Sequence, residues 1–312
     1  MEVIHFPEDP RRNWLVHPVL GLGNFDGLHR GHQKIVERVK RGAIERGGTA
    51  MAMTFDPHPP RVVRPDKAPA LLMTTEQRLE ELHRGGMQCV AVVNFTHELS
   101  RWDPETFVRT VLVEWLRVAE VWVGANFLFG CDRSGNFSVL RTLGQRYGFR
   151  ADKIDPVRYK EFVVSSTRVR RLVGEGRVDE AGALLGHPYY LDGVVVEGDR
   201  RGREIGFPTA NLKTDNELLP PHGVYATTFS VDGIARAGIT NIGVRPTFGD
   251  GADATVETHV LNFNESLYGK RVRLAFVQRL RDERRFEDVD ALRAQIEADQ
   301  RRAERLFSRI SV

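Results

Sequence analysis

Apolar and polar positions in the first half of the chain alternate between two kinds of segment. Short continuous apolar runs at residues 19–22, 49–55, 89–95 and 118–123 read as buried strands. Between them the apolar positions follow the helical period. Ile35, Val36 and Val39 share one face of a helix starting near His32, and Leu79 and Leu82 lie buried in a helix over about residues 75–83. Gly47-Gly48 and Gly85-Gly86 end these helices. Asp103-Pro104 opens another, with Phe107, Val108, Val111, Leu112 and Trp115 on one side. Strands that are apolar throughout, separated by helices, predict a parallel sheet covered on both faces. A helix beginning around Ser165 and a short one over residues 178–185, stopped by Gly186 and Pro188, close this half.

From Tyr189 the apolar period shortens to that of a strand. Residues 190–196, 223–231, 234–239, 256–263 and 272–280 read as strands, with Asp232-Gly233 as a hairpin turn. In the last of them Val272, Leu274 and Phe276 alternate with Arg271 and Arg273. Short antiparallel strands punctuated by turns predict a small barrel. A final helix over about residues 288–307 would turn Val289, Leu292, Ile296, Ala303 and Leu306 inward. The change of period predicts domains 1–186 and 187–312.

Length and composition agree with this division. A chain of 312 residues fits about two domains, and 41% hydrophobic residues suffice for two cores. A net charge of +3 suits phosphate-bearing small molecules and nucleic acid alike, so it decides little. The two cysteines, Cys89 and Cys131, fall in different segments, which predicts a reducing compartment rather than a disulfide framework. The first residues lack a basic start followed by an apolar core, and no run reaches the ~18 apolar residues of a membrane span. The expectation is a cytoplasmic chain with no membrane partner.

Ligands of parallel sheets bind beyond the carboxyl ends of the strands. Three polar or glycine-rich strand exits would lie there, at residues 23–32, 56–60 and 124–130. The first is the most informative. Gly23, Gly27 and Gly31 permit close backbone approach or positive φ, and His29 and His32 sit where the amides of the next helix point. A zinc site is the rival for these histidines. It lacks evident third and fourth ligands, and His58 alone does not complete one. The segment Ser165-Ser166-Thr167-Arg168-Val169-Arg170-Arg171 places a capping hydroxyl and three arginines at a helix start, against the helix dipole. An anionic ligand would reconcile them. In the second half, residues 198–211 combine glycines and arginines with Phe207-Pro208-Thr209-Ala210-Asn211. Thr209 and Asn211 point the same way on an extended chain, and their oxygens, with water and phosphate, suit magnesium. Glu257 draws interest only if the barrel brings it near them. The arginine-rich stretches lack the interleaved aromatics of a nucleic-acid binder, so no nucleic-acid partner is expected.

Taken together these motifs resemble those of the bacterial bifunctional riboflavin kinase/FMN adenylyltransferases, over nearly the whole chain. Residues 23–32 match the nucleotidyltransferase signature, and residues 54–59, 124–130 and 165–170 match three further motifs in order. Residues 206–211, 223–225, 241–248 and 267–269 match the kinase module. The resemblance implies an α/β nucleotidyltransferase domain with a Rossmann-like parallel sheet, followed by a small antiparallel β-barrel with a C-terminal helix. It implies phosphorylation of riboflavin by ATP, then adenylylation of FMN by a second ATP, with magnesium as cofactor, ATP as co-substrate and no obligatory protein partner. It assigns catalysis to His29, His32 and Glu257, and metal binding to Thr209 and Asn211. Nucleotide binding falls to Gly23, Phe25, Asp26, Gly27, Gly31, Asn126, Ser166, Thr167, Arg170 and Gly206, and flavin binding to Asn126, Phe207 and Arg245. Two positions depart from the pattern: Leu128 stands where many relatives carry arginine, and Asn262 where many carry aspartate. A chain with one active module, or a flavin-binding regulator without catalysis, are the alternatives.

Overall fold

The computed structural model describes residues 1–10, 13–198, 202, 205–244 and 254–309. The chain divides into two compact units, Met1–Ser166 and Thr167–Val312. The first unit is built on a six-stranded parallel sheet. Its strands are β1 (Glu2–Phe6), β2 (Val19–Leu22), β3 (Ala50–Asp56), β4 (Cys89–Asn94), β5 (Glu120–Val123) and β6 (Arg150–Lys153), in the spatial order β1-β4-β3-β2-β5-β6. Helix α1 (Arg30–Arg46) follows β2, α2 (Thr75–Arg84) precedes β4, and α3 (Phe137–Tyr147) precedes β6.

The central strands are mostly apolar because both faces are covered. Leu20, Leu22, Met51, Met53, Ala91, Val93, Val121 and Val123 enter one core with Phe107, Val111 and Leu140. Val19, Ala50, Ala52, Val90 and Val92 enter the other with Ile35, Val36, Val39 and Leu82. The helix expected from Asp103 begins as α-helix at Pro104–Phe107 and continues as a π-helix over Val108–Trp115. Its apolar columns, Phe107-Val111-Trp115 and Val108-Leu112-Leu116, repeat every four residues. The wider coil of i→i+5 bonding keeps both columns on the sheet.

In the second unit α4 (Ser166–Gly174, whose first residue belongs to the first unit) and α5 (Val178–Leu185) lead into a closed barrel. Its strands are β7 (Tyr189–Val196), β8 (Ala210–Thr214), β9 (Gly223–Val231), β10 (Ile234–Val244), β11 (Ala254–Val260) and β12 (Arg271–Arg281), arranged β7-β8-β11-β10-β9-β12 with β12 closing on β7. All pairings are antiparallel. The expected hairpin turn is present, with Asp232 (φ 51°) and Gly233 (φ 78°) both left-handed. Tyr225, Phe229, Leu274 and Phe276 fill the interior, together with a chain of buried hydroxyls in which Thr240 Oγ1 lies 2.7 Å from Thr227 and 2.8 Å from Thr258.

Helix α6 (Val289–Phe307) is capped by Asp288, whose carboxylate accepts from Ala291 N. Ala303, Leu306 and Phe307 cover Val224, Ala226, Ile239 and Leu280 on the outside of the barrel. Val289, expected inward, is 54% exposed. It is the first residue of the helix, and packing begins further along.

One contact in the first unit fixes how closely α1 approaches the sheet. Gly21 lies in β2 under the helix, and a Cβ there would stand 2.9 Å from Ile35 Cγ2 and 3.2 Å from Val39 Cγ2. Both methyls belong to β-branched side chains that cannot swing aside within a helix. Gly21→Ala should therefore destabilise the first unit by about 1–3 kcal/mol, read as a lowered midpoint of urea unfolding at unchanged slope.

Candidate active site

Strand β2 ends at Leu22, and Gly23 N donates to Met53 O at 3.2 Å, holding the chain beside β3 for one more residue. The turn then passes through left-handed backbone at Phe25 (φ 51°), Gly27 (φ 84°) and Leu28 (φ 32°). Of the three glycines expected to allow positive φ, Gly27 alone uses it, while two residues with side chains take up the rest. That strained backbone is held by burial and hydrogen bonds. The Phe25 ring is fully buried. The Asp26 carboxylate, also buried, accepts from Leu72 N (3.0 Å) and Met73 N (3.3 Å). What Phe25 and Asp26 turn toward a ligand is therefore main chain.

The turn ends on His29, the N-cap of α1. Its Nδ1 accepts from His32 N at 3.3 Å, which places the ring proton on Nε2 and makes that nitrogen a donor. The His29 and His32 rings stack at 3.7 Å with 10° between planes, and Phe25 abuts His32 at 5.3 Å. Gly31 is needed for a steric reason: a Cβ there would stand 3.1 Å from the His29 ring.

The other expected exits gather at the same end of the sheet, because β3 and β5 flank β2 in parallel. Asn126 is exposed just past β5, followed by the stacked pair Phe127 and Phe129, 5.3 Å apart. Leu128, between those rings, is 50% exposed. The Ser166 hydroxyl, at the end of the first unit, donates to Asp26 O at 2.9 Å and so tethers the turn. Thr167 and Arg170 follow on α4.

The barrel assembles a second centre on its outer face. Register pairs Glu257 with Asn211 on one side and with Asn241 on the other, so carboxamide, carboxylate and carboxamide stand abreast on β8, β11 and β10. Their sequence neighbours Ala210, Val256, Thr258, Thr240 and Ile242 point into the barrel and are buried. Thr209 stands just before β8, two residues from Asn211. A Cβ on Gly198 would overlap the Asn211 carboxamide, and one on Gly202 would overlap Phe207 O and come within 3.4 Å of Thr209 Oγ1. Backbone at these two glycines thus lies close against both oxygen-bearing side chains. Gly206 (φ 88°) is left-handed, and Phe207 meets His259 edge-on at 5.5 Å. Arg245, expected to bind flavin, lies outside the described residues, as does much of the arginine-rich loop. Asn241 escaped the sequence reading. It pairs with Glu257 only through barrel register, although it begins one of the quoted motifs.

Comparison with known proteins gives these two centres their context. A family model for FAD synthetase matches residues 15–168, and one for riboflavin kinase matches residues 185–307. A bifunctional riboflavin kinase/FMN adenylyltransferase of Pseudomonas fluorescens is 37% identical over 281 residues, 90% of either chain. That of Escherichia coli K12 is 36% identical over 292 residues (93% of this chain, 92% of the relative), and that of Bacillus subtilis 35% over 298 (94% and 93%). The chain belongs to the bifunctional riboflavin kinase/FMN adenylyltransferase family. A solved structure from Streptococcus pneumoniae, described as a macrolide-efflux protein, superposes with a TM-score of 0.88 at 27% identity, covering 97% of this chain and 99% of that one. Among the described residues no helix is long and apolar enough to cross a membrane.

The contact between Gly31 and His29 generates a local prediction. Gly31→Ala obliges the His29 ring to shift by a few tenths of an ångström while leaving the sheet intact. FAD formation from FMN should fall by up to about 10-fold, while FMN formation from riboflavin is unchanged; product chromatography separates the two.

Proposed function

We propose that the chain makes FAD in two steps at two separate centres. Residues 187–312 transfer the γ-phosphoryl group of ATP to the ribityl hydroxyl of riboflavin, and residues 1–186 join FMN to the adenylyl group of a second ATP. The observation that carries this reading is the different placement of carboxylates. Asp26, the carboxylate within the histidine turn, is buried and bonded to two backbone amides. Glu257 stands on the outer face of the barrel between two carboxamides.

The chemistry asks for this difference. In adenylyl transfer the nucleophile is an FMN phosphate oxygen, already anionic. It attacks the α-phosphorus, the bond to the β-phosphate oxygen breaks, and pyrophosphate leaves. No proton need be removed, so the site must align the reactants and stabilise charge. His29 Nε2–H, His32 and the amides of the turn between Gly23 and Gly31 supply donors at the positive end of α1. Ser166, Thr167 and Arg170 hold the outer phosphates, and Asn126 contacts nucleotide or flavin.

In the kinase step the nucleophile is an alcohol. Glu257 accepts its proton as the oxygen attacks the γ-phosphorus and ADP leaves. Gly206, left-handed, lets the loop approach the nucleotide, and Phe207 lies on the flavin side. The oxygens of Thr209 and Asn211, with glycine backbone close against both, form a hard donor set that fits magnesium. When bound, magnesium supplies neutralisation of the developing phosphate charge. The free thiols of Cys89 and Cys131 suit the reducing cytoplasm, where both flavin substrates and ATP are available.

Reciprocal variants test the assignment. Glu257→Ala should lower FMN formation by about 10²- to 10⁴-fold, the usual contribution of a general base, with FMN-to-FAD conversion largely intact. His29→Ala should do the reverse. The measurement is incubation with riboflavin or FMN, ATP and magnesium, with FMN and FAD resolved over time. If either variant, folded by circular dichroism, stopped both reactions, the two-centre assignment would fail.

A further inference from the structure

A buried cation lies against the histidine turn, outside every motif. Arg78, on α2, is 1% exposed, and among the described residues it makes no ion pair. Its Nη1 instead donates to Thr54 Oγ1 (2.7 Å), Asn24 O (3.3 Å) and Phe55 O (3.2 Å). Thr54, fully buried, relays a further bond to Asn24 O at 3.0 Å. The Arg78 Nε is buried with no acceptor. Burial pushes its pKa below the ordinary arginine value, opposed by the charges of Asp26 and Asp56. Arginine nonetheless remains charged in a protein.

Packing does not account for such a residue. An apolar side chain of similar volume would fill the space without burying a charge and an unmet donor. The groups Arg78 grips are carbonyls at two neighbouring strand exits. Asn24 opens the turn that ends on His29, and Phe55 stands at the end of β3. A carbonyl turned toward a polyphosphate would repel it.

We propose that Arg78 is a positioning residue for adenylyl transfer. It draws the carbonyls of Asn24 and Phe55 inward, so that the turn presents amide and imidazole donors to the phosphates. Its charge, without a directly bonded carboxylate, is complemented by the ATP polyphosphate across the turn. The inference rests on adenylyl transfer residing in the first unit.

The test uses the full chain with Arg78→Met, Arg78→Lys and Thr54→Val, and measures kcat and KM for FMN adenylylation beside the rate of riboflavin phosphorylation. Arg78→Met should lower kcat/KM for ATP by about 100-fold, with KM for FMN within about threefold of wild type and FMN formation unchanged. Arg78→Lys, which keeps the charge, should recover a large part of the loss. Thr54→Val, nearly isosteric, should lower kcat by about tenfold by cutting the relay. Wild-type adenylylation kinetics in folded Arg78→Met would overturn the proposal, as would equal losses in the Met and Lys variants. Should Arg78→Met fail to fold, unchanged adenylylation in Thr54→Val overturns it. Failure of the underlying assignment reads differently: His29→Ala would then retain FAD formation whatever Arg78 does.

Discussion

The first amides of an α-helix have no acceptor within the helix, and they carry the positive end of its dipole. Much of the first unit is arranged to bring one such terminus, that of α1, to the carboxyl edge of the sheet. Gly21 lets α1 lie directly on β2, and the apolar columns Ile35, Val36 and Val39 hold it there. The turn between strand and helix then has few residues in which to reverse, and three of them adopt left-handed backbone. Asp26, bonded to Leu72 and Met73 amides, and Ser166, bonded to Asp26 O, fix that turn from two sides. His29 completes it by capping the helix with one nitrogen while keeping the other as a donor. One imidazole thus caps the helix and still presents an N–H beside its first amides.

Much of this could be read from the chain before its structure. Strands β2, β3, β4 and β5 announce themselves because both faces are covered, so their central positions are apolar and polar residues fall at or near their ends. The edge strands β1 and β6 do not. Glu2 and His5 interrupt the first, and Arg150, Asp152 and Lys153 make most of the second, so only backbone pairing reveals them. His29 and His32 were legible because a helix start turns a short spacing into a shared face. The Asn211-Glu257-Asn241 row was not, because barrel register alone brings three distant segments abreast. Arg78 was invisible for another reason. It sits in an ordinary amphipathic helix with a Thr74–Gln77 capping box, where a lone arginine reads as a solvated one.

The two centres use the same phosphate chemistry with opposite needs for a carboxylate. Beside the α1 terminus an outward carboxylate would repel both the polyphosphate and the anionic FMN phosphate that must approach it. Asp26 avoids this by facing inward, where backbone amides satisfy it and Arg78 lies close enough to feel its charge. In the barrel the incoming nucleophile is neutral, and a carboxylate is an advantage only if it is ionised and ready to accept a proton. Asn241 and Asn211 stand at cross-strand distance on either side of Glu257, where side chains of paired residues interact. The outer face of a closed barrel suits this arrangement. The interior, filled by Tyr225, Phe229, Phe276 and the threonine chain, would have stripped a carboxylate of the solvent its charge needs.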